Sequence, residues 1–178
     1  NRRDVAAVRR GLADLGESHG GGACLVNGEL PDDLVEAAIG AANAAGMTVL
    51  YNASPARPLT NAMAEVHPLL VVNEVEAAQL AGTDDPRSAA RQLGELHGAV
   101  VVTLGAAGVL GFVDGHMLER PALAVDVVDT VGAGDAFGGT FAGHLASTGD
   151  FAGAIDAGIA AGARAVSTRG ARTWLTRP

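Results

Sequence analysis

The chain has 178 residues, enough for one domain with a sizeable core but short for two. Hydrophobic residues make up 48% of it, and the net charge of −8 is spread along the sequence. This composition favours a soluble globular protein and argues against nucleic acid or a membrane as its partner. All twelve Lys and Arg residues are arginines, which excludes a lysine-bearing phosphate loop and Schiff-base chemistry. Any phosphate chemistry must therefore use backbone amides, helix ends, arginine and bound cations.

The first hundred residues alternate between predicted helices and short apolar strands. Helical spacing and helix-start residues predict helices over 4–15, 31–45, 74–80 and 86–97. Apolar runs predict strands over 23–27, 47–51, 69–72 and 99–104.

After residue 104 the rhythm changes. Asp114 and Gly115 between two short apolar runs predict a hairpin over 109–119, and small-residue helices over 133–147 and 152–167 follow. Four apolar strands separated by helices predict a parallel sheet covered on both faces, in a single α/β unit spanning 1–178.

The strongest chemical signal is the string Asp-Thr-Val-Gly-Ala-Gly-Asp-Ala-Phe that begins at Asp129. Its glycines, Gly132 and Gly134, lead into a helix, where the N–H groups of Ala133, Gly134 and Asp135 form a nest for the charge on a phosphoryl group. Asp135, in the first helical turn, is suited to take a proton from an attacking hydroxyl. A bare Gly-x-Gly-Asp would be better explained as a tight turn before a helix-start acid.

The longer string resembles, over its whole length, the signature of the ribokinase-like carbohydrate kinases. Supporting matches follow in the family's order and extend the resemblance over residues 5–174. Asn73 to Glu76 resembles the Asn-x-x-Glu motif, Val101 to Val109 the nucleotide-binding strand and loop, and Asn52 to Arg57 the Asn-Pro-Ala-Pro-Ala-Arg stretch of ribokinases with two changes. The resemblance implies a three-layer αβα fold and ATP-dependent transfer of a phosphoryl group to a sugar hydroxyl.

The resemblance also implies roles for individual residues. Asp135 would be the general base and contact the substrate, with the Gly132–Asp135 turn as anion hole. Glu76 would organise magnesium-bound water, and Glu29, two residues past a strand end, would contact the sugar. The nucleotide would contact Asn73, Thr103, Gly105 and Gly108. By themselves, Glu76 also reads as a helix-start acid and Glu29 as a solvent-exposed loop acid.

A potassium site beside the anion hole is a further implication. Trp174 and Ile159 depart from the family pattern, at a cation-ligand and an adenine-contact position respectively. The implied potassium ligands are Asp129 and the carbonyl groups of Val131, Ala165, Thr168 and Gly170.

Whole ribokinase-like enzymes are far longer, so the resemblance implies that a first strand with a sugar-binding Asp, a Gly-Gly sugar loop and a small β-sheet lid precede residue 1. One hypothesis is a sugar kinase whose amino-terminal half lies elsewhere. The other is a truncated remnant that binds nucleotide or a partner and catalyses nothing. A sheet cut in this way exposes an edge, which predicts a homodimer or association through that edge.

The sequence also bears on the substrate and on the cellular compartment. The Asn52–Arg57 stretch favours ribose, while fructose phosphates, keto-deoxy sugar acids and nucleosides stay open. The single cysteine, Cys24, allows no internal disulfide, which fits a reducing cytoplasm.

Overall fold

A sheet of six strands runs through the computed structural model, which describes residues 2–19 and 22–170. The spatial order of the strands follows the chain, with β1 to β4 parallel and β5 and β6 added as an antiparallel hairpin. The predicted parallel sheet and hairpin are therefore confirmed. The strands are β1 Ala23–Asn27, β2 Thr48–Asn52, β3 Leu69–Asn73, β4 Ala99–Thr103, β5 Val109–Val113 and β6 His116–Arg120.

Every predicted helix is present, with ends that differ by a few residues. Pro31 caps the second helix instead of starting it, and the short α3 was not predicted because it is a single turn, capped by the Thr60 side chain and anchored by buried Met63. None of the described helices has the length and apolar character that crossing a membrane requires. The helices are α1 Arg2–His19, α2 Asp32–Ala44, α3 Asn61–Ala64, α4 Glu74–Ala81, α5 Pro86–His97, α6 Ala133–Thr148 and α7 Phe151–Val166.

The strands are buried on both faces because helices cover the sheet from both sides. In β4, Val100 and Val102 face a core formed with α2, α4 and α5, whereas Val101 between them faces α6 and α7. This alternation has the two-residue period of a strand, yet all three valines are fully buried. The result is a three-layer αβα arrangement, with α1 packed against α2.

Helix α6 begins at the carboxyl edge of the parallel strands. Phe151 and Ile155 of α7 lie against Gly111 in the middle of β5, and Asp156 reaches Arg120 at the end of β6, so α7 runs toward that edge. Helix α6 packs antiparallel to α7 and so starts where α7 ends. The first turn of α6 is thereby brought to the edge where ligands bind in open α/β sheets.

A glycine in α5 tests how closely this layer is packed. A β-carbon at Gly94 would lie 2.6 Å from Cγ of buried Phe112, whereas one at Gly40, in α2, would meet no atom within 4 Å. Alanine favours both helices by up to ~1 kcal/mol, but overpacking a core costs about 1–3 kcal/mol. We expect Gly94→Ala to lower the free energy of unfolding and Gly40→Ala to leave it unchanged or raise it, measured by urea denaturation. Equal stability of the two variants would contradict this packing.

Candidate active site

The predicted site residues lie at or just after the ends of three of the parallel strands and at the start of α6. Glu29 comes after β1, Asn73 ends β3 and is followed by Glu76 in α4, and Thr103 ends β4 and begins the loop to Gly108. Because β1 to β4 are parallel and α6 starts at their carboxyl edge, these segments share one edge of the sheet with Asp135. The structure thus brings together residues separated by more than a hundred positions.

Asp129 ties the loop before α6 to the end of α7. Its Oδ1 accepts the N–H of Val131 at 3.0 Å and its Oδ2 accepts the N–H of Gly170 at 2.9 Å. The N–H groups of Val128 and Asp129 both donate to the carbonyl of Val166, at 2.7 and 3.1 Å. The Val131 bond first, and then the Gly170 bond, hold the pKa of Asp129 below its usual value because they stabilise the carboxylate.

The turn from Gly132 to Asp135 leads into α6, as predicted, and begins with a left-handed residue. Gly132 caps α6 with φ of 81°, a left-handed backbone that glycine adopts without strain. The N–H of Ala133, predicted to be available, instead donates to the carbonyl of Thr130 at 3.3 Å. Within the described chain, the N–H groups of Gly134 and Asp135 have no such partner, and the Asp135 side chain is exposed. Two of the three N–H groups that were predicted to form the nest therefore remain available.

Asn73 and Glu76 form a reciprocal capping box at the start of α4. Asn73 Oδ1 accepts the N–H of Glu76 at 2.9 Å, and Glu76 Oε2 accepts the N–H of Asn73 at 2.8 Å. Glu76 is the one buried charged side chain in the described core, with 8% of its surface exposed. Its Oε1 accepts no hydrogen bond from the described residues, so half of the carboxylate is free for another partner.

A cavity of about 350 Å³ opens beside this capping box. Glu29 lies on its wall, together with residues of the loop that follows β2. Asp135 and the 103–108 loop do not line it. The described side chains surround the cavity as follows: Glu29, Ser54, Pro55, Ala56, Asn73, Val75, Glu76 and Gln79.

The predicted nucleotide loop is closed by its own backbone. Thr103 pairs with Asn73 in the β3–β4 register, and its hydroxyl donates to the carbonyl of Val72 at 3.4 Å. The N–H of Leu104 donates to the carbonyl of Gly108 at 2.8 Å, across a single 3₁₀ turn that begins at Gly105. Gly108 is buried against the backbone that follows β6, where a β-carbon would lie 2.9 Å from the Ala122 nitrogen.

The predicted potassium ligands are also neighbours, although some are already engaged. The carbonyl of Ala165 accepts the N–H of Thr168 at 3.3 Å and its hydroxyl at 3.2 Å. Carboxylate and carbonyl oxygens suit a hard cation, so the donor set fits potassium chemically. Three or more His, Cys, Asp or Glu side chains do not cluster as metal ligands anywhere in residues 2–19 and 22–170. Trp174 lies outside the described residues.

Sequence analysis missed the interactions of Arg57, a residue it used only as part of a motif. Its Nη1 donates to Asp32 Oδ1 at 2.7 Å and its Nη2 to the carbonyl of Leu30 at 2.9 Å, across 25 and 27 residues. The phenol of Tyr51 lies next to the guanidinium; burial raises the pKa of Tyr51 and Arg57 partly opposes that rise. The available signal was charge, because Arg57 is the only Lys or Arg between Arg10 and Arg87.

Comparison with known proteins identifies the family. The sequence matches the pfkB family of carbohydrate kinases over residues 16–177. The chain belongs to this family. It is similar to the ribokinase of Haemophilus influenzae, with 32% identity over 174 residues that cover 94% of this chain and 56% of the relative.

Solved ribokinases show that the pfkB-family resemblance extends to three dimensions. The ribokinase from Thermotoga maritima has a TM-score of 0.77 at 28% identity, over 86% of this chain and 52% of that structure. The Arabidopsis thaliana ribokinase, solved with ribose and ATP, has a TM-score of 0.80 at 25% identity, over 98% of this chain and 55% of that one. The predicted family and fold are confirmed, and the chain spans about half the length of the relatives it matches.

The Asp129 hydrogen bonds predict a pH-dependent stability. Because the folded-state pKa is lowered, the carboxylate stabilises the fold above its unfolded pKa of ~4, and this contribution is lost as the pH falls through the folded-state pKa. Asp129→Asn should therefore unfold at lower urea concentration than the unmodified protein at neutral pH, with a difference that shrinks in acid. Asp126→Asn, at an exposed carboxylate of the same loop, is the control. A difference that does not change with pH would contradict this prediction.

Proposed function

We propose that this chain is the nucleotide-binding portion of an ATP-dependent sugar kinase, a single α/β domain in which Asp135 is the general base. The observation that carries the proposal is the turn from Gly132 to Asp135. It offers two unpartnered N–H groups and an exposed carboxylate at the carboxyl edge of a sheet that belongs to a carbohydrate kinase family. Phosphoryl transfer needs positioning, an anion-stabilising group and a base, and this turn can supply the last two.

In the proposed reaction, Asp135 takes the proton from a sugar hydroxyl as the oxygen attacks the γ-phosphorus of ATP. A new bond forms between that oxygen and phosphorus, while the bond from the γ-phosphorus to the oxygen bridging to the β-phosphate breaks and ADP leaves. The N–H groups of Gly134 and Asp135, together with the positive end of α6, would stabilise charge on the transferred group. The turn would thus supply both the base for the attacking hydroxyl and the groups that stabilise the transferred phosphoryl group.

The nucleotide would lie against the residues that follow β3 and β4. Asn73 and Thr103 are register partners, and the loop with Gly105 and Gly108 continues from them. Magnesium prefers oxygen ligands and retains waters, so the free Oε1 of Glu76 is suited to a magnesium-bound water. ATP with Mg²⁺ is therefore the proposed cosubstrate.

Potassium is the proposed ion behind the anion hole. Asp129, Val131 and Gly170 are already joined by hydrogen bonds, and the carbonyls of Ala165 and Thr168 lie at the same end of α7. A bound monovalent cation would hold the loop before α6 against α7. This role rests on the donor chemistry and on the contacts around Asp129.

Ribose is the proposed sugar, with Glu29 as one of its contacts. The support is the Asn52–Arg57 stretch, which lies beside the Glu29 cavity, and the similarity to a ribokinase. We also propose a cytoplasmic location, for which the support is the single cysteine, Cys24.

A second candidate function is a non-catalytic remnant that binds nucleotide or a partner. The observation in its favour is that the chain spans about half the length of its relatives. The nucleotide-contacting residues and the proposed base all lie in the described part, so the two candidates differ in turnover and agree in nucleotide binding.

ADP release by the unmodified chain separates these candidates, and the Asp135→Asn variant tests the proposed base. With ATP, Mg²⁺, K⁺ and D-ribose, the unmodified chain should release ADP, and the variant should lose about 10²–10⁴-fold in rate while ATP affinity stays unchanged, because only the base is removed. Asp114→Asn, which removes an exposed charge from the hairpin turn, is the matched control. Near-normal turnover of Asp135→Asn would overturn the assignment of the base. Binding of ATP without ribose-dependent ADP release by the unmodified chain would favour the remnant.

Association through the edge of the sheet is a further part of the proposal. Strand β1 forms one edge, and a groove of about 580 Å³ separates it from α1, with exposed Leu15 on its wall. Light scattering should show dimers or larger species that Leu15→Lys weakens by placing a charge in the groove. Leu96→Lys, at an exposed leucine of α5, should have no effect. A monomer at every concentration would contradict association.

A further inference from the structure

The turn that carries Glu29 directly follows β1 and packs against the loop after β2. The N–H of Glu29 donates to Asn27 Oδ1 at 2.9 Å, and the N–H of Gly28 donates to the carbonyl of Asn52 at 2.8 Å. Gly28 is buried, and a β-carbon on it would lie 3.0 Å from the Tyr51 hydroxyl. The turn is therefore in close contact with the segment from Tyr51 to Ser54.

Arg57 adds hydrogen bonds between the same two segments. Its two terminal nitrogens hold the Leu30 carbonyl, the residue after Glu29, and the Asp32 carboxylate in the first turn of α2. The same arginine belongs to the loop whose earlier residues, Ser54 to Ala56, line the cavity together with Glu29. One side chain thus connects the two chain segments that carry these lining residues.

We propose that Arg57 is a positioning residue that sets the place of the Glu29 carboxylate in the sugar-binding cavity. The inference rests on the proposed function, since it takes Glu29 as a sugar contact. Arg57 does not line the cavity, so it acts through the turn and not on the ligand.

The chemistry of the contact favours an arginine over a lysine. The guanidinium is a planar fork whose separate N–H groups bond a carbonyl and a carboxylate at once, which a lysine ammonium on a flexible stem does less well. Its Nε is buried, and the Tyr51 phenol lies next to the guanidinium. The contact therefore joins the loop after β2 to the turn after β1, and both segments contribute residues to the cavity lining.

Hydrogen exchange tests the contact itself. In Arg57→Gln the amides of Gly28 and Glu29 should exchange roughly tenfold faster than in the unmodified chain, because the turn loses its charged anchor. Arg57→Lys should fall between the two, and Arg87→Gln, which breaks a different surface ion pair with Glu119, should leave these amides unchanged. Unchanged exchange in Arg57→Gln would overturn the proposal whether or not the chain is an active kinase.

Ligand affinity tests the positioning role. By calorimetry, Arg57→Gln should weaken D-ribose binding about tenfold and leave MgATP binding within about twofold, with partial recovery in Arg57→Lys. A general loss of structure would weaken both ligands together. In a Glu29→Ala background, Arg57→Gln should have little further effect on ribose, since it acts through the missing carboxylate.

The outcomes separate this inference from the proposed function. Ribose binding by the unmodified chain that is equal in Arg57→Gln, or additive effects of Glu29→Ala and Arg57→Gln, would overturn the positioning role alone. Absence of saturable ribose binding by the unmodified chain would overturn the proposed sugar site, and the inference that rests on it would fall with it.

Discussion

Hydrogen bonding between parallel strands forces the ends of β1 to β4 to one edge of the sheet, and the candidate site depends on this. Strands covered on both faces must be apolar along their length, so polar residues are confined to their ends. Asn73 and Thr103 end neighbouring strands and are register partners. The same arrangement brings Glu29 to the edge, since it follows β1. The segments that follow the four parallel strands thereby form one surface at which ligands can bind.

Two charged contacts hold the loops at this edge of the sheet in place. Asp129 joins the loop before α6 to the end of α7, so it anchors the turn proposed to bind the transferred phosphoryl group. Arg57 joins the loop after β2 to the turn after β1 and the start of α2, near the cavity lined by Glu29 and Glu76. Each contact links segments at least 25 residues apart. One supports the place proposed for phosphoryl transfer, and the other the place proposed for the sugar.

Local patterns predicted the larger elements because each carries its own signal. Strand β4 is a run of valines bounded by glycine, and α5 has Pro86 at its start and Gly98 after its end. The turn α3 carries no comparable pattern, because its four residues owe their conformation to one cap and one buried methionine. The Ala133 amide was predicted to be available, but a turn bond to Thr130 engages it, and that bond depends on the backbone path and not on residue type.

Residue order by itself determined the α/β class, the hairpin and the position of the Gly-x-Gly-Asp turn before a helix, since these depend on periodicity and on neighbours within a few positions. It also indicated most candidate ligand residues through a family resemblance. Only the tertiary structure decided which amides remain available, which carboxylate oxygens are engaged and how Arg57 connects two loops. Those features arise from contacts between distant segments. The packing of helices on the sheet sets the geometry of these contacts, and no periodic pattern in the sequence indicates it.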